Sequence, residues 1–353
     1  MSRAVAASRR FLADTGARFP VVCGPMYPGS NPELVAAVSD AGGFGVVQPI
    51  SLTYLYGHDF RAGLRMIKAL TPAPFGVNFT IVPNKEYARR MDEWIDISID
   101  EGVKFFLTSL GKPDAIVRRA APHGVKVYHD VHSVELARRA AGAGVSGLNL
   151  LNDRMGGQTG ALAPRAFLDA LRAGGGDAAA LPLLCAGGVG GAADFAACLD
   201  AGYAGAQLGT RFLATDECVV PDEYKQALVR ASEDDVVWTN KMAGTNSSVL
   251  RTPLVEKGGL QVGALLSFLL RTRATKSLAR LFLLKRSLDE HKRAAFDGSV
   301  EWWQAGKGVG GIKSVVPAAA VVRELGAVFD AAPGARADPA ALTNSGGDPS
   351  KCG

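Results

Sequence analysis

Between residues 19 and 208 the sequence alternates short apolar runs with longer helical patterns, and this cadence constrains the fold more than any other feature. Runs 19–24, 45–49, 75–79, 104–109, 126–130, 147–152, 181–186 and 204–208 read as strands. Helical patterns at 32–41, 60–69, 86–101, 113–121, 133–143, 164–173 and 192–201 separate them. The strand runs carry apolar residues at successive positions, as strands buried on both faces do. Glycine-containing helix ends precede several of them, such as Asp40-Ala41-Gly42-Gly43, which suits a left-handed helix stop. Eight strand–helix repeats are the cadence of a (β/α)8 TIM barrel, an α/β fold; a doubly wound open sheet is the alternative.

The last two strands favour the barrel. Run 181–186 ends at Gly187 and Gly188, and run 204–208 ends at Gly209 and Thr210. Barrels place phosphate sites at the carboxyl ends of their last strands. Only a backbone without Cβ lets amide N–H groups come close to phosphate oxygens. The bland alternative is that these glycines form ordinary turns.

Composition limits the function classes. The chain has 353 residues, 48% hydrophobic and 21% charged, as expected of a soluble globular protein with a large core. A formal charge of +5 without a polyanion-binding motif gives no reason to expect a nucleic-acid partner. Cys23, Cys185, Cys198, Cys218 and Cys352 form no CxxC pair and no metal-ligand spacing, so no metal is expected. Free thiols in apolar runs indicate a reducing, cytoplasmic setting. The N-terminal ten residues lack the apolar core of a signal peptide, and no run reaches transmembrane length, so no stable membrane insertion is expected.

The pattern changes after Thr215. Residues 216–257 read as loop and short helix, and 258–295 as a leucine-rich helical stretch. Eight Lys or Arg residues fall between Arg271 and Arg293. They form either a solvated helix face or a lid whose charge meets a phosphorylated ligand such as a CoA or carrier-protein arm; a membrane-surface role is a third option. The expected division is a barrel over 15–225, a helical lid or insertion over 226–301, a return segment over 302–330 and a disordered tail over 331–353.

Several segments together resemble the nitronate monooxygenase family, also called 2-nitropropane dioxygenases, and its FMN-dependent enoyl-reductase relatives. The matches are Gly24-Pro25-Met26, the run from Asn31 to Val38, Ala41 to Gly45, and Phe75-Gly76-Val77-Asn78. Further on come Ala186-Gly187-Gly188-Val189, Leu208 to Thr215, Ser248 to Thr252, and Ala305 through Gly311. The resemblance covers roughly residues 15–325 and implies a barrel that holds FMN. It implies FMN contacts from Gly24, Pro25, Met26 and Asn78, and a phosphate held by Gly187, Gly188, Gly209 and Thr210. Asn78 read on its own is equally a turn cap.

The sequence departs from the family in the loop after the sixth strand. Residues 152–160 read Asn-Asp-Arg-Met-Gly-Gly-Gln-Thr-Gly, where the family typically carries Gly-Gly-His-x-Gly with a catalytic histidine. Gln158 in that place can orient an oxygen but cannot act as a base. His129 and Asp130, at the end of the fifth strand, are the other catalytic candidates, and at most one of them faces the barrel axis. Some family members carry a lysine near the Asp130 position. Asp153 and Arg154 can bind a charged substrate or pair with each other.

The resemblance implies oxidation of an alkyl nitronate with molecular oxygen to a carbonyl compound and nitrite. The alternative is NAD(P)H-dependent reduction of an enoyl-CoA, an enoyl-carrier-protein thioester or a quinone, towards which the basic stretch points. A flavin-binding protein of low activity is a third reading. Each takes a small-molecule substrate, and a homo-oligomer is compatible with all three.

Overall fold

The computed structural model describes residues 3–82, 84–241, 247–263 and 302–332, with the single positions 266, 268, 269, 275 and 283. Eight parallel strands close into a barrel. They are β1 (Val21–Cys23), β2 (Phe44–Val47), β3 (Gly76–Ile81), β4 (Phe105–Leu110), β5 (Lys126–Val131), β6 (Gly147–Leu151), β8 (Leu183–Ala186) and β9 (Gly205–Leu208). β1 pairs with β2 on one side and with β9 on the other, Val21 opposite Ala206 and Cys23 opposite Leu208. That closure excludes the open sheet. All eight predicted strands and the seven helices between them are present.

Both strand faces are buried, which explains the continuous apolar runs. Val22, Phe44, Val46, Phe105, Leu107, Tyr128 and Leu184 fill the barrel's interior, while Val21, Val47, Val77, Val127 and Leu148 pack into the surrounding helices. Tyr128 lies across the interior against Gly147, where a Cβ would stand 2.2 Å from the ring. Glycine is required there by close approach.

An N-terminal helix not anticipated from the sequence, α1 (Arg3–Thr15), plugs the bottom of the barrel. Phe11, fully buried, meets the rings of Phe44 and Tyr128 edge-on at centroid distances of 6.5 and 5.8 Å. The Tyr128 hydroxyl donates to Asp14 Oδ2 at 3.0 Å.

Helices α2 (Pro32–Asp40), α3 (Phe60–Leu70), α4 (Lys85–Asp100), α5 (Asp114–Ala120), α6 (Val134–Gly142), α7 (Pro164–Ala173), α8 (Asp177–Ala180) and α9 (Ala192–Ala201) form the shell. After β9 and the short α10 (Thr210–Leu213) the chain leaves the barrel through α11 (Asp222–Arg230).

The region expected as loop and short helix also contains strands. β10 (Val236–Thr239) and β11 (Ser247–Leu250) join β7 (Gly157–Gln158) in a small antiparallel sheet. α12 (Pro253–Gly258) follows. The chain returns at 302, and α13 (Ala318–Ala331) packs between α2 and α9 to complete the shell. The basic stretch 271–293, apart from Thr275 and Leu283, and the tail beyond 332 lie outside the described residues. No helix among the described residues is long and apolar enough to cross a membrane.

Candidate active site

A cavity of about 360 Å³ opens at the carboxyl end of the barrel, where barrel loops converge. Its floor is a polar layer of inward-facing side chains one step above the aromatic interior. Gln48 Nε2 donates to Asn78 Oδ1 at 3.3 Å, and Asn78 Nδ2 donates to Ser109 Oγ at 2.9 Å. Ser109 donates its hydroxyl to Asp130 Oδ2 at 2.8 Å, and Asn149 Nδ2 donates to Asp130 Oδ1 at 2.7 Å. Every donor in this chain points towards the Asp130 carboxylate. Asn78 is buried and lies beneath the cavity surface, holding Gln48 and Ser109, which line it.

Alternation along β5 separates the two candidate residues. Asp130 shares the inner face with Tyr128 and lines the cavity. Among the described lining residues it is the only carboxyl group, and none of those residues is a histidine. Burial pushes its carboxyl up to about 6, against the pull of the Asn149 and Ser109 hydrogen bonds. His129 turns outward, is buried, and does not line the cavity. Its Nδ1 lies 2.8 Å from Thr108 Oγ1, which also lies 3.1 Å from the Tyr128 carbonyl. Burial holds the imidazole down to about 4, opposed by Thr108 and Asp114.

Gly24, Pro25 and Met26 follow β1 along one side of the cavity. A Cβ on Gly24 would meet Gln207 Cγ at 2.8 Å, so the glycine makes room for that side chain. Gln207 Oε1 and Asn149 Oδ1 are buried without a hydrogen-bond partner. The Met26 sulfur comes within 3.4 Å of where a Cβ on Gly209 would stand, which brings the first and last strand ends together.

The far end is built of glycine. Gly187 and Gly188 have φ of +115° and +83°, a region open to glycine and strained for other residues. Gly209 and Thr210 stand beside them, and Gly156, Gly306 and Gly308 complete the wall. Gly306 N–H donates to Thr210 Oγ1 at 3.0 Å, leaving the threonine's own hydrogen to donate elsewhere. Gly190 N–H and Ala192 N–H are already bound by Asp194 and Glu324 carboxylates. Among the described residues, the N–H groups of Gly188 and Val189 make no backbone hydrogen bond. The four residues expected to hold a phosphate thus converge on one surface.

Gln158 sits at the rim, exposed and paired through β7 with Ser247 of β11. Arg154 does not pair with its neighbour Asp153; its Nη2 forms an ion pair with Glu233. Trp302, Trp303, Tyr224 and Leu213 make an apolar wall that sequence reading missed. The Trp303 and Tyr224 rings stack at 5.2 Å with planes 9° apart. Two adjacent tryptophans just before the Ala305–Gly306 segment were the available signal.

A sequence profile of the nitronate monooxygenase family matches residues 9–327. A Mycobacterium tuberculosis protein named (3aS,4S,5R,7aS)-5-hydroxy-7a-methyl-1-oxo-octahydro-1H-indene-4-carboxyl-CoA dehydrogenase is 32% identical over 245 residues. The match covers 69% of this chain and 66% of that protein, so this chain spans just under two thirds of the relative's length. A probable nitronate monooxygenase of Staphylococcus saprophyticus is 24% identical, over 84% of this chain and 90% of its own. Among solved structures, FabK from Thermotoga maritima superposes with a TM-score of 0.75 at 25% identity, covering 91% of this chain and 96% of that one.

Proposed function

This chain belongs to the nitronate monooxygenase family, and on that premise we propose that it is an FMN-dependent oxidoreductase acting on a bulky acyl thioester. The observation that carries the substrate reading is Asp130, the only carboxyl group among the described cavity-lining residues.

The residues present fit FMN. The Gly187–Gly188 turn would accept a phosphate where a Cβ would collide with Asn152, Met155 and Arg154. Gly209 and Thr210 would add backbone and hydroxyl donors. The orphaned Gln207 Oε1 and Asn149 Oδ1 supply acceptors that a flavin's polar groups would satisfy. Gly24, Pro25 and Met26 would flank the ring. Bound FMN would exchange two electrons with the substrate and, through NAD(P)H, with the nicotinamide pool.

Oxidation or reduction beside a thioester carbonyl moves a hydride at one carbon and a proton at the adjacent carbon. Asp130, titrating near 6, can take or give that proton close to neutral pH. Ser109 and Asn149 hold both of its oxygens, so the carboxyl is oriented before substrate arrives. Gln158 at the rim can hydrogen-bond the carbonyl oxygen but cannot replace the acid or base. The Trp302–Trp303–Tyr224 wall would exclude water and cover an apolar acyl body. The carboxyl-CoA substrates for which the Mycobacterium tuberculosis and Rhodococcus jostii relatives are named, built on an octahydroindene skeleton, are of that kind.

Nitronate oxidation is a second reading, favoured by the Staphylococcus saprophyticus relative, whose match runs along most of both chains. Anaerobic mixing separates the two. The FMN-loaded protein is treated with NADH, NADPH, a propyl nitronate and bulky enoyl-CoA thioesters while the visible flavin band is followed. The expected result is bleaching by a nicotinamide and recovery on adding a thioester. Bleaching by the nitronate alone, with no response to any thioester, would overturn the substrate assignment.

A further inference from the structure

Arg154 occupies an unusual position at the glycine end of the cavity. Its backbone N–H is held by Asn152 Oδ1 at 2.9 Å, and Asn152 Nδ2 donates to the Gly187 carbonyl at 3.0 Å. The loop after β6 is thereby tied to the glycine turn after β8. The Arg154 carbonyl accepts Lys307 N–H at 2.8 Å, which ties in the return segment. Its side chain lies over Gly188, where a Cβ would stand 2.7 Å from Nε and 3.0 Å from Cδ. Beyond Gly188 the guanidinium reaches the Glu233 carboxylate.

Glu233 begins the segment that leads into the small sheet, whose Gly157, Gln158 and Ser247 line the cavity. Residues Glu233–Asp235 form a 3-10 turn with a capping box between Ser232 and Asp235, and β10 follows directly. The Asp235 carbonyl accepts Arg251 N–H at 2.7 Å. β10 pairs with β11, and β11 pairs with Gly157–Gln158 on the same loop as Arg154. This small sheet therefore has two attachments to that loop, a strand pairing at Gln158 and an ion pair at Arg154.

A guanidinium carries five N–H donors in a fixed fork, so one edge can hold a carboxylate while another meets a phosphate. Arg154 is the only Lys or Arg among the described residues lining the cavity. We propose that Arg154 is the cationic partner of a phosphate monoester seated on the Gly187–Gly188 turn, and that its pairing with Glu233 makes filling of that turn fasten the β7–β11–β10 sheet over the cavity. The proposal rests on the FMN reading and assigns this chain's own phosphate contact and its link to the roof.

The test compares FMN with riboflavin, which lacks the phosphate, by equilibrium binding to the full-length protein. Wild type should prefer FMN strongly. Arg154→Gln should weaken FMN about tenfold or more and leave riboflavin unchanged, while Arg154→Lys should restore part of the preference. Glu233→Gln should keep the FMN preference but lose the FMN-induced hydrogen-exchange protection of residues 236–239 and 247–250. An Arg154→Gln protein with the wild-type ratio of FMN to riboflavin affinity overturns the proposal. So does an Arg154→Gln protein that loses affinity for coenzyme A, added to the riboflavin-loaded protein, but not for FMN. If wild type binds neither flavin, the cofactor reading itself fails, a separate result.

Discussion

Asp130 and His129 are consecutive residues with opposite surroundings, and burial shifts both towards their uncharged forms. In the unfolded chain His129 takes its proton near 6.5, but in the fold only near 4. Stability from this group is full above 6.5 and is lost as the pH falls towards 4. Asp130 ionises near 3.8 when unfolded and near 6 when folded. Keeping it neutral favours the fold fully below 3.8, and that contribution is lost as the pH rises through 6. The two slopes oppose each other and offset in wild type. Asp130→Asn removes one of them. Its urea midpoint should fall more steeply than wild type's between about pH 7 and pH 4.5, and should match or exceed wild type's at pH 7. Parallel profiles would show that the Asp130 carboxyl is not raised by the fold. The same variant should retain FMN and lose about 10²- to 10⁴-fold in turnover, so a wild-type rate would remove Asp130 from the chemistry. Period-2 alternation made it legible that only one of the pair faces the axis. It did not say which, because that parity depends on Tyr128 lying inside against Gly147, a contact between strands.

At the level of elements, the barrel strands were readable because burial on both faces makes most of their positions apolar, with polar residues such as Asn78, Asp130 and Asn149 interrupting the runs near the cavity. The short strands were not. β7 has two residues and β10 and β11 four each, too few for a period, and their pairing partners lie far apart in sequence. Gln158 therefore read as a loop residue, although it is fixed by pairing to Ser247. α1 was missed for a different reason. Its buried positions Val5, Ser8, Phe11 and Thr15 keep a helical spacing, but two of the four are polar. Thr15 is at home there because its hydroxyl donates to the Phe11 carbonyl at 2.9 Å. Phe11 carries most of the plug's apolar contact, so Phe11→Ala should destabilise the protein by about 3–5 kcal/mol in urea unfolding. FMN affinity should not change, because the plug touches only the barrel's bottom layer. A variant of unaltered stability would mean that α1 rests on the barrel without closing it.

Across the whole molecule the aromatic interior separates a stability end from a chemical end, a division that barrels in general show. The glycine turns were legible because phosphate cradles need positive φ and absent Cβ atoms, and sequence records both as glycine. The aromatic wall and the Arg154–Glu233 pair were not, since residues 154, 224, 233 and 302–303 meet only after the chain leaves the barrel and returns. This separation has a thermodynamic consequence. A ligand that binds only the folded chain stabilises it by about 2.7 kcal/mol at a concentration one hundred times its Kd. Because the plug and the cradle share no partner, that increment should add to any loss caused by Phe11→Ala. Thermal unfolding with and without FMN should show equal shifts in wild type and in Phe11→Ala. Gly188→Val should behave differently. Its side chain would be strained at φ +83° and would press on Arg154, displacing the group that flanks the phosphate. The FMN shift should vanish in that variant, while riboflavin, added at a matched multiple of its own Kd, should stabilise it as it does wild type. A Gly188→Val protein that keeps the full FMN shift would move the phosphate away from this turn.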